Sequence, residues 1–238
     1  MKTKSAWGTA NSRIYKFIRK IKNEKGTAAS VCIIGASDGK FVFPFLRNNF
    51  TVTAVEFDQT ALYGGEKEFP VEREKITACK YTSQKTKPQY QKIPTKLKHI
   101  DGLLKRAEKE NLKNNLTIIE KDFYRSGIEM SFDIVFTSCS IQYKSNRDIP
   151  VNQIMNRLKN AVALGGYLYM DYMMPLEDSH TWKAPHFFRT GEIVKYFDQD
   201  WKIHYVIEMK QPVFEAAHVD RPEDHFHRFG YILAQRMQ

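Results

Sequence analysis

Ser30-Val31-Cys32-Ile33-Ile34-Gly35-Ala36-Ser37-Asp38-Gly39-Lys40, followed by Val52-Thr53-Ala54-Val55-Glu56-Phe57-Asp58, is the stretch that decides the fold. Val31, Ile33 and Ile34 form a short apolar, β-branched run of the kind that fills a strand buried in a parallel sheet. The run breaks at Gly35–Gly39, where small residues let the backbone turn sharply and come close to a ligand. Lys40–Asn48 has room for a short helix, which Pro44 limits or displaces in its first turn. A second apolar strand, Val52–Val55, ends on Glu56, and an acidic side chain at that tip can accept hydrogen bonds from both hydroxyls of a ribose. Together these segments read as a nucleoside-binding βαβ unit. Gly35-x-x-x-Gly39 lacks the third glycine of a dinucleotide fingerprint, and no lysine followed by serine or threonine marks a phosphate loop.

Composition sets the outer limits. A chain of 238 residues with 42% hydrophobic and 13% aromatic residues suits one globular α/β domain with a sizeable core. No apolar run approaches the roughly 18 residues of a membrane span. The N-terminus has no apolar segment of a signal peptide. Cys32, Cys79 and Cys139 are too scattered for a disulfide framework or a zinc motif, so a reducing, cytoplasmic setting is expected. The net charge of +10 raises nucleic acid as a partner. Much of that excess lies in 13–25 and 75–105, away from the ligand loops, which favours a solvated lysine surface.

Along the chain, Ile14, Phe17, Ile18 and Ile21 recur at helical spacing behind Asn11 or Ser12 as cap. Trp7 precedes this helix. Asp58–Leu62 begins another helix that Gly64-Gly65 stops. Residues 66–98 carry Pro70, Pro88, Pro94, many lysines, Tyr81 and Tyr90. They read as an insertion, either a mobile cap near the site or a disordered surface loop. Leu116–Ile119 is a third strand with Asp122 and Phe123 at its tip, and Phe132–Ser138 a fourth, leading into Cys139, Ser140, Gln142 and Tyr143. Nothing nearby lowers the Cys139 pKa, so it is a poor nucleophile. Residues 149–163 read as an amphipathic helix, Leu164-Gly165-Gly166 as its stop, and Tyr167–Met170 as strand five. A loop from Asp171 to Thr190 contains His186. Trp201–Met209 and Arg228–Arg236 are the last strands, and between them lie His218, Asp220, His225 and His227. Alternation puts His225 and His227 on one face of a strand. With His218 and Asp220 they could ligate a metal, but a substrate-binding or general-base role is the preferred reading, and no metal is expected.

The glycine loop, the acidic tip of strand two, and the strand-four and Gly-Gly passages resemble class I S-adenosylmethionine-dependent methyltransferases. The strand–loop–strand finish is similar to small-molecule methyltransferases of the tellurite-resistance type, whose hairpin loop overhangs the cofactor. The resemblance covers residues from about 30 to the C-terminus, apart from 66–98. It implies a Rossmann-like, seven-stranded, mostly parallel sheet with an antiparallel last strand, in one domain with an N-terminal helical segment (1–29) and a hairpin loop (210–227). S-adenosylmethionine is the implied cofactor, held by Gly35, Ala36, Ser37, Gly39, Glu56, Asp122, Phe123 and Ser138, with Trp7 folding over it. Gln142, Tyr143, His186 and His218 are expected to meet a small-molecule acceptor, and His225 or His227 to act as general base on it. Two positions depart from the family pattern: Ser37 stands for the middle glycine, and Ile33 for an acidic residue. An RNA methyltransferase is the first alternative, drawn from the charge and the lysine-rich insertion. Against it, Ser138-Cys139-Ser140-Ile141 replaces the proline-rich fourth motif used on base amino groups. A cofactor-binding regulator without turnover is the second.

Overall fold

A computed structural model describes residues 3–71, 80–81, 92–179 and 186–238. Seven strands form the central sheet: β1 (Val31–Ile34), β2 (Val52–Glu56), β3 (Leu116–Glu120), β4 (Phe132–Ser138), β5 (Val162–Met174), β6 (Trp201–Glu208) and β7 (His225–Arg236). Their order across the sheet is β6-β7-β5-β4-β1-β2-β3. The neighbours from β3 to β5 pair in parallel, and β7 runs antiparallel between β5 and β6. A short strand, Val213–Glu215, adds to the front of β7. The expected α/β sheet with one antiparallel strand is therefore present.

Among the described residues six α-helices accompany the sheet: α1 (Ser12–Lys25), α2 (Val42–Leu46), α3 (Gln59–Tyr63), α4 (Leu103–Lys109), α5 (Phe123–Ser126) and α6 (Val151–Asn160). The Asn11 side chain caps α1 by accepting from the backbone of Arg13 and Ile14. Ile14, Phe17, Ile18 and Ile21 are the buried face of that helix, as their spacing requires. Pro44 lies in the first turn of α2, where a missing N–H costs no helix bond. Asp58 caps α3 and Gly64 ends it.

Strand β1 shows why its residues are apolar throughout. Val31 and Ile33 join the core that contains α1, α2, Phe136 and Tyr169, while Cys32 and Ile34 join the core that contains α6, Val135 and Tyr172. Both faces of a central parallel strand are covered by helices, so no position is left for a polar side chain.

Several boundaries differ from the sequence reading, among them the start of the last strand, which lies at His225 rather than Arg228 and so places His225 and His227 in β7. Residues 66–98 do not begin as an irregular loop: Gly65–Pro70 and Thr95–Ile100 pair as an antiparallel ribbon from Gly65↔Ile100 to Pro70↔Thr95. The stretches 72–79 and 82–91 lie outside the described residues, and so does the expected mobility of the cap. β5 starts at Val162, before the glycine pair, and its register against β4 jumps between Phe132↔Val162 and Ile134↔Tyr167. The glycines thus sit in a bulge, with Gly165 at φ 72°, rather than ending a helix. β5 also continues to Met174, so Asp171 is a strand residue and not the start of a loop.

Candidate active site

Parallel strands place their ligands at the carboxyl edge of the sheet, and the predicted residues converge there from three directions. The first is the loop after β1. Gly35 and Ala36 donate their N–H groups to the Val55 carbonyl at 3.0 and 3.2 Å. Gly35 has φ 68°, and a Cβ there would lie 2.8 Å from the Ser140 Cβ, so only glycine allows this loop to sit against the tip of β4. Ser37 has φ 52°, a region costly for a residue with a side chain. Its N–H donates to Glu56 Oε2 at 2.8 Å, while Phe57 and Asp58 donate to Oε1 at 2.8 and 2.9 Å. The Ser37 hydroxyl is buried and has no hydrogen-bond partner.

The N-terminal segment lies over this loop. Asp38 is buried and accepts from Arg106 Nη1 at 2.6 Å and from the Ala6 N–H at 2.9 Å. Lys40 donates to the Trp7 carbonyl at 3.1 Å, and the Trp7 indole donates to Asp220 at 2.6 Å. Trp7 therefore joins the glycine loop to the loop before β7.

The second direction comprises the tips of β3 and β4. Asp122 caps α5 by accepting from the Arg125 N–H at 3.2 Å, and Phe123 is buried in the core beside Ile34 and Val55. Both are thus occupied structurally in the ligand-free chain. The Ser138 hydroxyl donates to Asp171 Oδ2 at 2.9 Å. Burial is the main cause that pushes the Asp171 carboxyl up to about 6, and its Oδ1 has no hydrogen-bond partner. Burial also pushes the Cys139 thiol up, which keeps it a thiol. Gln142 is folded back, its amide donating to the Cys139 carbonyl at 2.5 Å. Tyr143 is exposed at the rim, within electrostatic reach of Asp220 and Glu56. His186 is buried and bonds the Ile149 carbonyl through Nε2 at 2.9 Å. It stands at the entrance to α6, apart from the other histidines.

The third direction is the loop before β7. Glu215 pairs across the ladder with His225. Its Oε2 lies 3.3 Å from His227 Nε2, 3.5 Å from His225 Nε2 and 3.9 Å from His218 Nε2. The His225 side chain is 0% exposed and that of His227 10%. Burial pushes His227 down to about 3 and lowers His218 as well. For Glu215, burial works upward, but the three surrounding histidines outweigh it and its carboxyl is lowered. A general base needs a lone pair within reach of the acceptor. The His225 ring is enclosed and faces Glu215, so of the two histidines expected as base His227 has the more open edge. Asp220, taken with the histidines in the sequence reading, turns instead to Trp7, and Glu215 supplies the carboxylate.

No known family profile matches the chain, and no curated protein matches it in sequence. Solved structures do. TehB from Haemophilus influenzae superposes with a TM-score of 0.61 at 15% identity, over 95% of this chain and 63% of that one. The chain has the class I methyltransferase fold. It spans just under two thirds of the TehB length. Magnesium protoporphyrin IX methyltransferase from Synechocystis, solved with bound S-adenosylmethionine, matches with a TM-score of 0.53 at 11% identity, over 94% of this chain and 78% of its own. The 1,6-didemethyltoxoflavin-N1-methyltransferase of Burkholderia thailandensis, bound to its acceptor and S-adenosylhomocysteine, gives 0.53 at 12% identity, over 95% and 79%.

Within this methyltransferase fold the three groups above occupy the carboxyl edge of the sheet. Sequence reasoning passed over two residues there. Asp171 was hidden by the misplaced end of β5. Glu215 stood in plain view, but only the ladder Val213–Glu215 with His225–His227 shows that it meets the histidines. No helix among the described residues is long and apolar enough to cross a membrane.

Proposed function

We propose that the chain transfers a methyl group from S-adenosylmethionine to a nitrogen, oxygen or sulfur atom of a small-molecule acceptor. The observation that carries this reading is the cradle formed by Gly35, Ser37 and Glu56. An ionised carboxylate offers about four acceptor sites. Glu56 uses two on Oε1 and one on Oε2, which leaves one for a ribose hydroxyl. The buried, unpartnered Ser37 hydroxyl beside it is a polar group waiting for a ligand partner. Gly35 supplies backbone that no side chain covers. These residues fit the nucleoside end of S-adenosylmethionine, with Ala36 and Gly39 completing the loop.

When bound, S-adenosylmethionine supplies an already activated methyl on its sulfonium sulfur. What remains for the chain is to align the acceptor and exclude water, which orientation alone can make effective. Trp7, Lys40 and Asp220 fasten the N-terminal segment and the loop before β7 over the site. Tyr143 and Gln142 stand at its rim as acceptor contacts. Asp122, Phe123 and Ser138 serve this reading as the floor under the cofactor, positioned by the cap of α5 and by Asp171. Calorimetry with S-adenosylhomocysteine tests the proposal. Saturable binding supports it, and no heat at millimolar ligand overturns it.

Methylation of RNA is the second reading, favoured by the net charge of +10. Phosphate contacts make RNA binding fall steeply with salt. Turnover of bulk RNA that is lost as salt rises, with no turnover in a panel of amines, phenols and thiols, selects it over the first.

A further inference from the structure

We propose that Glu215, His218, His225 and His227 form a binding site for one divalent first-row transition cation of the Zn2+ class. The sequence reading set a metal aside, and this site does not depend on the chain being a methyltransferase. Its four ligand atoms lie within 4.8 Å of one another. In a tetrahedral site with bonds of about 2.0–2.1 Å the ligand atoms stand about 3.3–3.4 Å apart. The Glu215 oxygen lies 3.3, 3.5 and 3.9 Å from the three Nε2 atoms, close to those spacings, while ligand atoms as far as 4.8 Å apart must draw together around the ion.

Proton bookkeeping points the same way. The His225 Nδ1 lies 2.7 Å from the Glu223 carbonyl and the His218 Nδ1 lies 2.6 Å from the Val219 carbonyl. A carbonyl can only accept, so both Nδ1 atoms carry the proton. With Nδ1 committed to a carbonyl, Nε2 is the nitrogen left to act as a ligand atom. Two such nitrogens face the Glu215 oxygen, and the His225 Nε2 is buried with no hydrogen-bond partner. Metal-ligating histidines commonly hold their second nitrogen on a backbone carbonyl, which fixes ring and tautomer. The scaffold is also set in advance. His218 and Arg221 exchange both backbone hydrogen bonds, at 2.9 and 3.0 Å, around a tight turn. Glu215 and His225 are held opposite each other in the ladder.

Three imidazoles and one carboxylate, with no thiolate, suit zinc, cobalt, nickel or iron rather than magnesium or calcium. The ion would tie the short strand, the turn and the start of β7 into one unit beside Trp7.

The test uses the purified full chain, dialysed against a chelator. Zn2+ is titrated against a chromogenic competitor, and Co2+ is followed by visible absorption. The expected result is one ion per chain, the intense bands of four-coordinate cobalt, and a higher melting temperature with metal, since a ligand that binds only the folded state stabilises it. Glu215→Gln keeps the volume and removes the charge. Together with His227→Asn it should weaken binding by at least the roughly 10- to 100-fold that losing an outer-shell partner costs. Circular dichroism shows that each variant folds without metal, and a variant that does not fold is replaced by His218→Asn, which lies on the turn outside the ladder. Absence of a stoichiometric ion, a weak six-coordinate cobalt spectrum, or unchanged affinity in the folded variants overturns the site. S-adenosylhomocysteine binding is measured separately, so failure of the metal site and failure of the methyltransferase reading are distinguished.

Discussion

The Trp7 indole donates to the Asp220 carboxylate at 2.6 Å across 213 positions of sequence. This bond fastens the N-terminal segment to the loop before β7, while Lys40 holds the Trp7 carbonyl from the glycine loop. Asp220 has φ 67°, a left-handed conformation that Asp and Asn tolerate better than most residues. Trp7→Phe removes the bond without touching the turn. A hydrogen bond contributes about 1 kcal/mol, so the melting temperature should fall by about 2–4 °C, and S-adenosylhomocysteine should dissociate up to roughly fivefold faster. Stopped-flow displacement measures this, and an unchanged off-rate removes Trp7 from the closure of the site.

Glu56 accepts backbone N–H groups on both oxygens, from Ser37 on one side and from Phe57 and Asp58 on the other. Glutamine is therefore no conservative replacement, because its amide group must point a donor at a donor. Glu56→Gln should lower stability at least as much as Glu56→Ala. Both should weaken S-adenosylhomocysteine binding by about 1–3 kcal/mol, the range for hydrogen bonds to a charged group. Thermal melting and calorimetry on the two variants provide the check. A glutamine variant that binds like wild type would show that the ribose is held elsewhere.

The β1–β2 unit was legible because its physics is local: apolar runs, a glycine break and an acidic tip follow one another directly. The same holds for α1, whose four buried residues follow from their spacing, and for α3, bracketed by Asp58 and Gly64. The ribbon Gly65–Pro70 with Thr95–Ile100 was not legible. Except for Ile100 its residues are exposed or half-buried, so no buried apolar face marks it as strand. Gly165-Gly166 misled because a bulge and a helix stop use the same residues. At the site, the alternation of His225 and His227 announced a shared face, but the register that brings Glu215 opposite His225 depends on two strands meeting, which sequence spacing does not show.

Asp171 gives the chain a pH signature. Burial raises its carboxyl from the ordinary 3.8 to about 6, with Ser138, Tyr169, Arg13 and Asn11 only partly offsetting it, and Tyr205, Tyr231 and Cys139 close by. A folded-state pKa above the unfolded one gives stability that is complete below the unfolded value and is lost as pH rises through the folded value. Asp171→Asn, which never ionises, should therefore gain on wild type between about pH 4 and 6 and hold that gain above. The gain should reach about 3 kcal/mol at most. Urea unfolding of both proteins from pH 4 to 8 reads the difference, in which other titrations largely cancel. A difference independent of pH would mean that Asp171 is not held up by burial.

Ser37 separates fold stability from cofactor binding. Its φ of 52° and its buried, unpartnered hydroxyl both work against the ligand-free fold. Ser37→Gly removes both and restores the glycine usual at the middle of this loop. The left-handed backbone costs a residue with a side chain roughly 1–2 kcal/mol, and glycine gives back about 0.5–1 kcal/mol through its greater freedom when unfolded. Relief of the stranded hydroxyl adds to the gain, so the variant should melt higher than wild type. If the hydroxyl bonds the cofactor, affinity for S-adenosylhomocysteine should fall at the same time by about 0.5–1.5 kcal/mol. Ser37→Ala keeps the backbone strain and loses only the hydroxyl, so it should show the affinity loss with a smaller rise in melting temperature. Melting curves and calorimetry on both variants decide it: affinities equal to wild type in both would mean that Ser37 contributes its N–H to Glu56 and nothing to the ligand.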